Sequence, residues 1–409
     1  MIFVIGATLP LVDVWRWWRW KSSQPRGDYP ERADLSAPYK GGIHLSGYAF
    51  RDRNRNGVFD VGDLPMASVV VTVTTPAGKT FSERSNTGGF ANFQMSLSQK
   101  DAALRKPGEY LCSVRVPPGW TLTTGNADQR TTLEALPGAP GDLVSKNPPR
   151  PFGLAPRLVI GGRVGVRGAG GSVEPPEGVS LSARGPGGEV VEVPLLAGGF
   201  FEIPAAPGRW RLIVRKAGSD AGVERELVVR DAPVRLSTIV LGDPKVEPAG
   251  RRTTVDFESI TATPIMKIPS GVAGLDWFYL NAIDAVSGGD AYVNNVTSGR
   301  YVGYGSSGHP VTISRPEGFD FLGAYFGVGN RDAEGETLRI QAFRGDAAVA
   351  EDELHLSSLG PVWFDATFHR IDRLVLTTRH YWQVVVDDME VGVPGGDLQS
   401  RGLTAIRER

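Results

Sequence analysis

The densest run of oxygen-bearing side chains is Asp52-Arg53-Asn54-Arg55-Asn56-Gly57-Val58-Phe59-Asp60-Val61-Gly62-Asp63. Counting Asp52 as position 1, oxygen side chains fall at 1, 3, 5, 9 and 12 (Asp52, Asn54, Asn56, Asp60, Asp63), Gly57 stands at 6, and Val58 offers its carbonyl at 7. This spacing lets a short loop wrap one Ca2+ with about six or seven oxygens, the glycine making the sharp turn. Asp63 replaces the longer Glu at the last position, which shortens the reach for bidentate ligation. Three carboxylates among the ligands set the expected affinity at the weak, extracellular end, about 10⁻⁴ to 10⁻³ M. The flanks read as strands, so the loop is not a sensor EF-hand. The alternative is an Asx-rich turn that binds nothing.

Other chemistry is hard to find. The five histidines, His44, His309, His355, His369 and His380, are far apart, with no His-Glu-x-x-His and no paired zinc spacing. Gly303-Tyr304-Gly305-Ser306-Ser307-Gly308 misses the nucleophile-elbow pattern, and no Gly-x-Gly-x-x-Gly carries a strand into a helix. Glycosidase carboxylate pairs obey no spacing rule, so sequence is silent on them. The expectation is a protein without catalytic activity. Trp277, Phe278, Tyr279, Tyr292, Tyr301 and Tyr304 could form a sugar-stacking platform, with core and cross-strand packing as the alternative. The single cysteine, Cys112, excludes an intramolecular disulfide and sits in an alternating strand-like run, which predicts a buried, inert thiol.

The elements that position these residues are strands. Gly 52 and Pro 30 make up about one residue in five of 409, while 41% of the chain is hydrophobic. That combination excludes a mainly helical protein, because Gly costs about 1 and Pro about 3 kcal/mol inside a helix, and it excludes disorder. Basic and acidic side chains nearly cancel, 44 against 45, so no basic surface favours nucleic acid. Ile43 and Leu45 alternate with His44 and Ser46, and Val69, Val71 and Val73 alternate with Val70, Thr72 and Thr74; one short helix is expected around Ser98 to Lys106. Asn147-Pro148-Pro149-Arg150-Pro151 reads as a boundary. A second run of strands extends over 156–245 and a third over 251–393. Pro107-Gly108-Glu109-Tyr110-Leu111 recurs as Pro207-Gly208-Arg209-Trp210-Arg211, suggesting one architecture used twice. The fold class is therefore all-β: tandem antiparallel β-sandwiches with a C-terminal jelly roll.

Residues 1–21 combine an apolar run, Ile2 to Val12, with Trp15, Trp17, Trp18, Trp20, Arg16, Arg19 and Lys21. The run is too short to span a hydrocarbon core of about 30 Å, but it matches a signal-peptide apolar region, and the aromatic-basic cluster suits a membrane interface. By the positive-inside rule these charges would leave the C-terminal bulk in the cytoplasm, against the character of the units that follow. The expectation is an export or anchor segment that has lost its upstream part, with a non-functional leader as the alternative. Residues 22–42 read as a linker and 394–409 as a tail.

Gly47-Tyr48-Ala49-Phe50, the loop, Pro65 to Val71 and Ser85-Asn86-Thr87-Gly88-Gly89-Phe90-Ala91-Asn92-Phe93 together resemble the B domain of serine-aspartate-repeat surface adhesins over residues 43–155. The resemblance implies a calcium-loaded sandwich of a secreted or wall-attached protein. Asn86 stands where that family has Asp, and neither the repeats nor a wall-sorting signal is present. Residues 156–245 resemble, more loosely, the carboxypeptidase-regulatory-like sandwich, a structural module. Val255-Asp256-Phe257-Glu258, Gly274-Leu275-Asp276-Trp277, Gly318-Phe319-Asp320-Phe321 and Val386-Asp387-Asp388 resemble jelly rolls of exported bacterial proteins of the PEP-CTERM type. In related carbohydrate-binding jelly rolls, acids of the first and last strands share a structural calcium. That implies Glu258 and Asp388, with Asp256 and Asp387 as substitutes depending on register, against the alternative of solvated carboxylates. The expected function is a secreted or cell-surface, calcium-stabilised adhesion or interaction protein, attached to a membrane if at all through its N-terminal segment. Its ligand would be an extracellular protein or glycan. The competing readings are a carbohydrate-binding protein acting through the jelly roll, or a polysaccharide-active enzyme.

Overall fold

A computed structural model describes residues 43–93, 102–138, 142–168, 172–218, 222–243, 246 and 250–394. The N-terminal segment, the linker and the tail beyond 394 lie outside the described residues. So do residues 98–101 of the expected helix, of which Ala102–Arg105 form a single 3-10 turn. The architecture is all-β, in three sandwich units.

In the first unit, strands Asp128–Ala135, Gly108–Arg115, Val70–Thr74 and Thr80–Arg84 form the body of one antiparallel sheet. Ser46–Arg51 is the centre of the facing sheet, flanked by Phe90–Asn92, Leu64–Pro65 and Phe152–Pro156. Val69, Val71 and Val73 point inward as their period-2 spacing requires. Cys112 lies in the same core, where burial pushes its thiol up to about 12, so it is inert. The Asn147–Pro151 run is a loop within this unit rather than its end, because strand Phe152–Pro156 still pairs with Ser46–Arg51 beyond it.

The second unit repeats this plan. Val159–Arg167 takes the place of Ser46–Arg51, and Val190–Val193, Val179–Arg184, Gly208–Lys216 and Gly222–Val229 form the opposite sheet. The Pro-Gly-x-aromatic repeat is structural. Gly108 (φ 142°) and Gly208 (φ 136°) each start a strand against the proline of the neighbouring hairpin turn; an added Cβ would lie 2.8 Å from Pro76 and 2.6 Å from Pro186 respectively. Two residues on, Tyr110 and Trp210 are buried, and each ring donates to the carbonyl four residues upstream. Tyr110 Oη donates to Lys106 O at 2.7 Å and Trp210 Nε1 to Ala206 O at 2.9 Å.

The third unit is built on two long strands, Val311–Val328 and Val362–Thr378, antiparallel to one another. Register shifts between Ser314 and Gly323 bend the first, so it closes over a core containing Phe257, Phe319, Phe321, Phe326 and Phe364. The first and last strands, Arg251–Val255 and Val384–Val393, lie side by side with Val255 opposite Met389.

Pairing departs from strict antiparallelism where each of the first two units closes. Phe152–Pro156 returns parallel to Ser46–Arg51, and Ile239–Leu241 returns parallel to Val159–Arg167. A return after a whole unit has the crossover length that parallel pairing demands, which a hairpin lacks. One parallel pair also joins units: Val234–Leu236 adds to Val362–Thr378, with Val234 opposite Trp363. The second and third units therefore share a continuous sheet.

Candidate functional site

The loop Asp52–Asp63 links Ser46–Arg51 to Leu64–Pro65, which pair with Arg51 opposite Leu64, so its ends are fixed together. Asp52 is 1% exposed and its carboxylate accepts the backbone N–H of Asn56 (3.2 Å) and Gly57 (2.8 Å). Gly57 has φ 75°, and an added Cβ would sit 3.0 Å from the Thr123 carbonyl, so both space and conformation call for glycine. Asn54 Oδ1 accepts from Asn56 N (3.1 Å) and Asn56 Oδ1 from Val58 N (2.8 Å), while the Nδ2 groups of both donate to Asp60. Asp63 accepts from the N–H of Arg53 (3.0 Å) and of Asp60 (3.1 Å). The five oxygen side chains expected from the spacing thus join one hydrogen-bonded network within the loop, Asp52 on its buried side and Asn54, Asn56 and Asp60 exposed. Phe59 pins the loop's far side against Tyr48 and Phe50, each centroid 5.2 Å away.

The donor set is oxygen only, which suits a hard cation. Among the described residues no group of three or more His, Cys, Asp or Glu is gathered to hold a metal, so Asp52, Asp60 and Asp63 do not form such a cluster by themselves. Asn86 is no part of this set: its Oδ1 caps the N–H groups of Gly88 and Phe90 in its own turn.

The intervening cations turn toward the rest of the molecule and are more buried than Asn54, Asn56 and Asp60. Arg51, 4% exposed, donates to Asn294 O of the third unit and to Asp231 of the second, both at 3.2 Å. Arg53 Nε donates to the same Asp231 Oδ2 at 2.5 Å, and Arg55 reaches the Pro156 carbonyl. Burial lowers the Arg51 pKa, opposed by Asp231. Burial likewise works against the Asp231 charge, but Arg51 and Arg53 outweigh it and hold that carboxyl below its ordinary value. Asn294 completes the junction, accepting from Ala67 N (2.8 Å) and donating to Ala67 O and Ser358 O (both 3.1 Å). The sequence reading missed this hub; its one signal was a set of loop cations that calcium ligation does not need.

Glu258, Asp387 and Asp388 converge on one turn, 297–301. Glu258 Oε1 accepts the N–H of Arg300 (2.6 Å) and Tyr301 (2.5 Å). Asp388, at φ 44°, accepts the hydroxyls of Thr297 (2.9 Å) and Ser298 (2.7 Å). Asp387 accepts Thr297 N at 2.7 Å, and burial, then the neighbouring Asp388, pushes its carboxyl up to about 7. Asp256 caps Glu258 N at 3.2 Å. The acids are brought together, and the turn's own donors engage their oxygens.

Of the two readings of the aromatic stretch, core packing holds for Trp277, Tyr292 and Tyr304. Trp277 is 3% exposed and donates Nε1 to Val272 O at 3.0 Å; Tyr304 is 7% exposed and packs edge-on against Tyr292. Strand Asp276–Phe278 alternates so that Trp277 points into the core and Phe278 out, which removes Trp277 and Tyr304 as sugar-stacking residues. Phe278 and Tyr279 are exposed, and Tyr279 lies against His309. No helix among the described residues is long and apolar enough to cross a membrane.

No known protein family and no curated protein matches the chain. Solved structures overlap parts of it. A family two carbohydrate esterase from Cellvibrio japonicus is 13% identical, with 24% of this chain and 29% of that chain covered and a TM-score of 0.16. BcpA, the major pilin subunit of Bacillus cereus, is 9% identical, covering 59% and 60%, with a TM-score of 0.17. The CBM51-2 and INT domains of Clostridium perfringens ZmpB are 9% identical, covering 57% and 48%, with a TM-score of 0.23. The chain thus spans less than two thirds of each of these structures, and at such scores the functional reading is left to its own side chains.

Proposed function

We propose that this chain is a secreted or cell-surface interaction protein without catalytic activity, whose first unit is a calcium-stiffened sandwich of the serine-aspartate-repeat adhesin type. Asp52, Asn54, Asn56, the Val58 carbonyl, Asp60 and Asp63 hold the ion. The observation that carries this reading is the double use of the loop: its oxygens join one hydrogen-bonded network while Arg51 and Arg53, alternating with them, tie it to Asp231 of the second unit and Arg55 ties it to Pro156. A bound cation would fix the geometry of both sets of bonds. Its ligand is an extracellular protein or glycan, presented to a rigid set of sandwiches.

The test is thermal unfolding of the whole chain in chelator and in millimolar calcium, with magnesium as control. With Kd about 10⁻⁴ to 10⁻³ M, 10 mM calcium stabilises by about 1.4–2.7 kcal/mol through mass action. Calcium should raise Tm in wild type and not in Asp60→Ala; an unchanged wild-type Tm removes the calcium reading. Calorimetric stoichiometry then separates the loop alone, one ion, from the loop with a second ion at Glu258 and Asp388.

A further inference from the structure

Strand Gly222–Val229 of the second unit approaches the outer face of the third unit's sheet, where Val362–Thr378, Val311–Val328, Val384–Val393 and Arg251–Val255 lie in order. Between them is a cavity of about 320 Å³, at a boundary between units and within the size range of small-ligand sites. Its base is aromatic. An added Cβ at Gly323 would lie 2.6 Å from the Trp363 indole, so the missing side chain lets that ring lie across the neighbouring strand. Tyr325 stands beside it, with centroids 4.9 Å apart.

Fixed polar groups surround this base. Asp365 accepts from Trp363 Nε1 (3.2 Å) and from Arg225 Nε (3.0 Å), which orients both. Arg252 is paired with Glu390. The arginines Arg225 and Arg252 are thus each neutralised by a carboxylate. Arg230 differs: it is exposed on the cavity lining and forms no ion pair with a carboxylate among the described residues, Glu226 being the remaining acid of that lining. Aromatic faces stack on the C–H face of a pyranose, planar Arg and Asp pairs suit vicinal hydroxyls, and an uncompensated guanidinium favours a carboxylate by bidentate hydrogen bonding.

We propose that this inter-unit cavity binds a glycan segment carrying a uronate sugar, with Trp363 as its base, backed by the buried Tyr325, and Arg230 receiving the carboxylate. The site rests on the reading above that the ligand is an extracellular protein or glycan and narrows it to one class of glycan, and it lies apart from the Asp52–Asp63 loop. Failure here leaves calcium-dependent melting untouched.

The experiment is calorimetric titration of the full chain with trigalacturonate and with neutral cellotriose. The expected result is binding of trigalacturonate at least ten-fold tighter than cellotriose. Arg230→Gln should weaken trigalacturonate about ten-fold at unchanged Tm and leave cellotriose as it was. Trp363→Ala should abolish both, and because that ring also packs on the second unit's core, Arg230→Gln is the deciding variant. Equal affinity for the two sugars, no effect of Arg230→Gln, or no heat with either sugar at millimolar concentration overturns the proposal.

Discussion

Asp231→Ala tests whether the three units form one mechanical body. The carboxylate holds Arg51 at 3.2 Å and Arg53 at 2.5 Å, with side-chain exposures of 4% for Arg51 and 11% for Asp231. At that separation and an effective dielectric near 20, the bare Arg51–Asp231 attraction is about 5 kcal/mol, most of it offset by desolvation. Removing one partner is different from removing both, because Arg51 is then left buried with the Asn294 carbonyl as its remaining acceptor. Orphaned buried ions cost about 3–5 kcal/mol, and the retained carbonyl argues for the lower part, about 3–4. If the roughly 330 described residues unfold as one unit, the unfolding entropy is about 0.7 kcal/mol/K and Tm falls by about 4–6 °C. Differential scanning calorimetry of the full chain reads this directly. Arg51→Met with Asp231→Leu should recover stability to within about 1 kcal/mol, since an apolar replacement leaves no buried charge. Because the folded Asp231 carboxyl lies below its ordinary value, its contribution is present above about pH 4 and lost as pH falls further, so wild type and Asp231→Ala should converge in acid. A loss below about 1 kcal/mol at neutral pH, or separate unfolding of the units in wild type, would refute the reasoning.

Asp352 is pushed up to about 6 by burial, against hydrogen bonds from Thr238. Its folded form holds a proton more tightly than the unfolded one, so stability should decline as pH rises from about 4 to 6 and then level off; Asp352→Asn should flatten that arm in pH-dependent denaturation. Asp52→Ala should cost about 1–3 kcal/mol even in chelator, because two backbone N–H groups lose their acceptor, and more in calcium; equal losses would separate the carboxylate from ion binding. Trp277→Ala should destabilise by about 3–5 kcal/mol while the folded fraction keeps wild-type glycan affinity, and lost affinity at full folding would restore Trp277 to a ligand surface. Tyr110→Phe and Trp210→Phe should each cost about 1 kcal/mol or somewhat more through the matched hydrogen bond; a neutral Tyr110→Phe would show that the repeat is sequence without energetic content.

What was legible in the sequence was local. The loop's ligand spacing, the strand parity of Val69 to Val73 and the Pro-Gly-x-aromatic repeat are each set within a dozen residues by φ, pleat or turn. Trp277 and Phe278 show the limit. Two adjacent aromatics must face opposite ways in a strand, but which one is buried follows from pairing, here Trp277 opposite Ile313. The Trp363 base is less visible still, since it depends on Gly323 across the sheet, and Arg51 meets a partner 180 residues away. The shared sheet was hidden for the same reason: three residues, Val234 to Leu236, read as the end of one sandwich and also pair with the next.

These distant contacts change what the loop means. An isolated calcium sandwich gains only its own stability from the ion. Here Arg51, Arg53 and Arg55 are bound to Asn294, Asp231 and Pro156, while Asp52, Asn54 and Asn56, between them, are bound within the loop. The two sets of bonds interleave along one short stretch of backbone, so whatever orders one constrains the other. The loop is therefore placed to set the angle between the first unit and the fused pair behind it. Asp231 is also only two residues beyond the strand that supplies Arg225 to the inter-unit cavity, and Arg230 adjoins it in the chain. Loop, junction and cavity are three points on one connected framework, so a change that loosens the junction reaches both of the others.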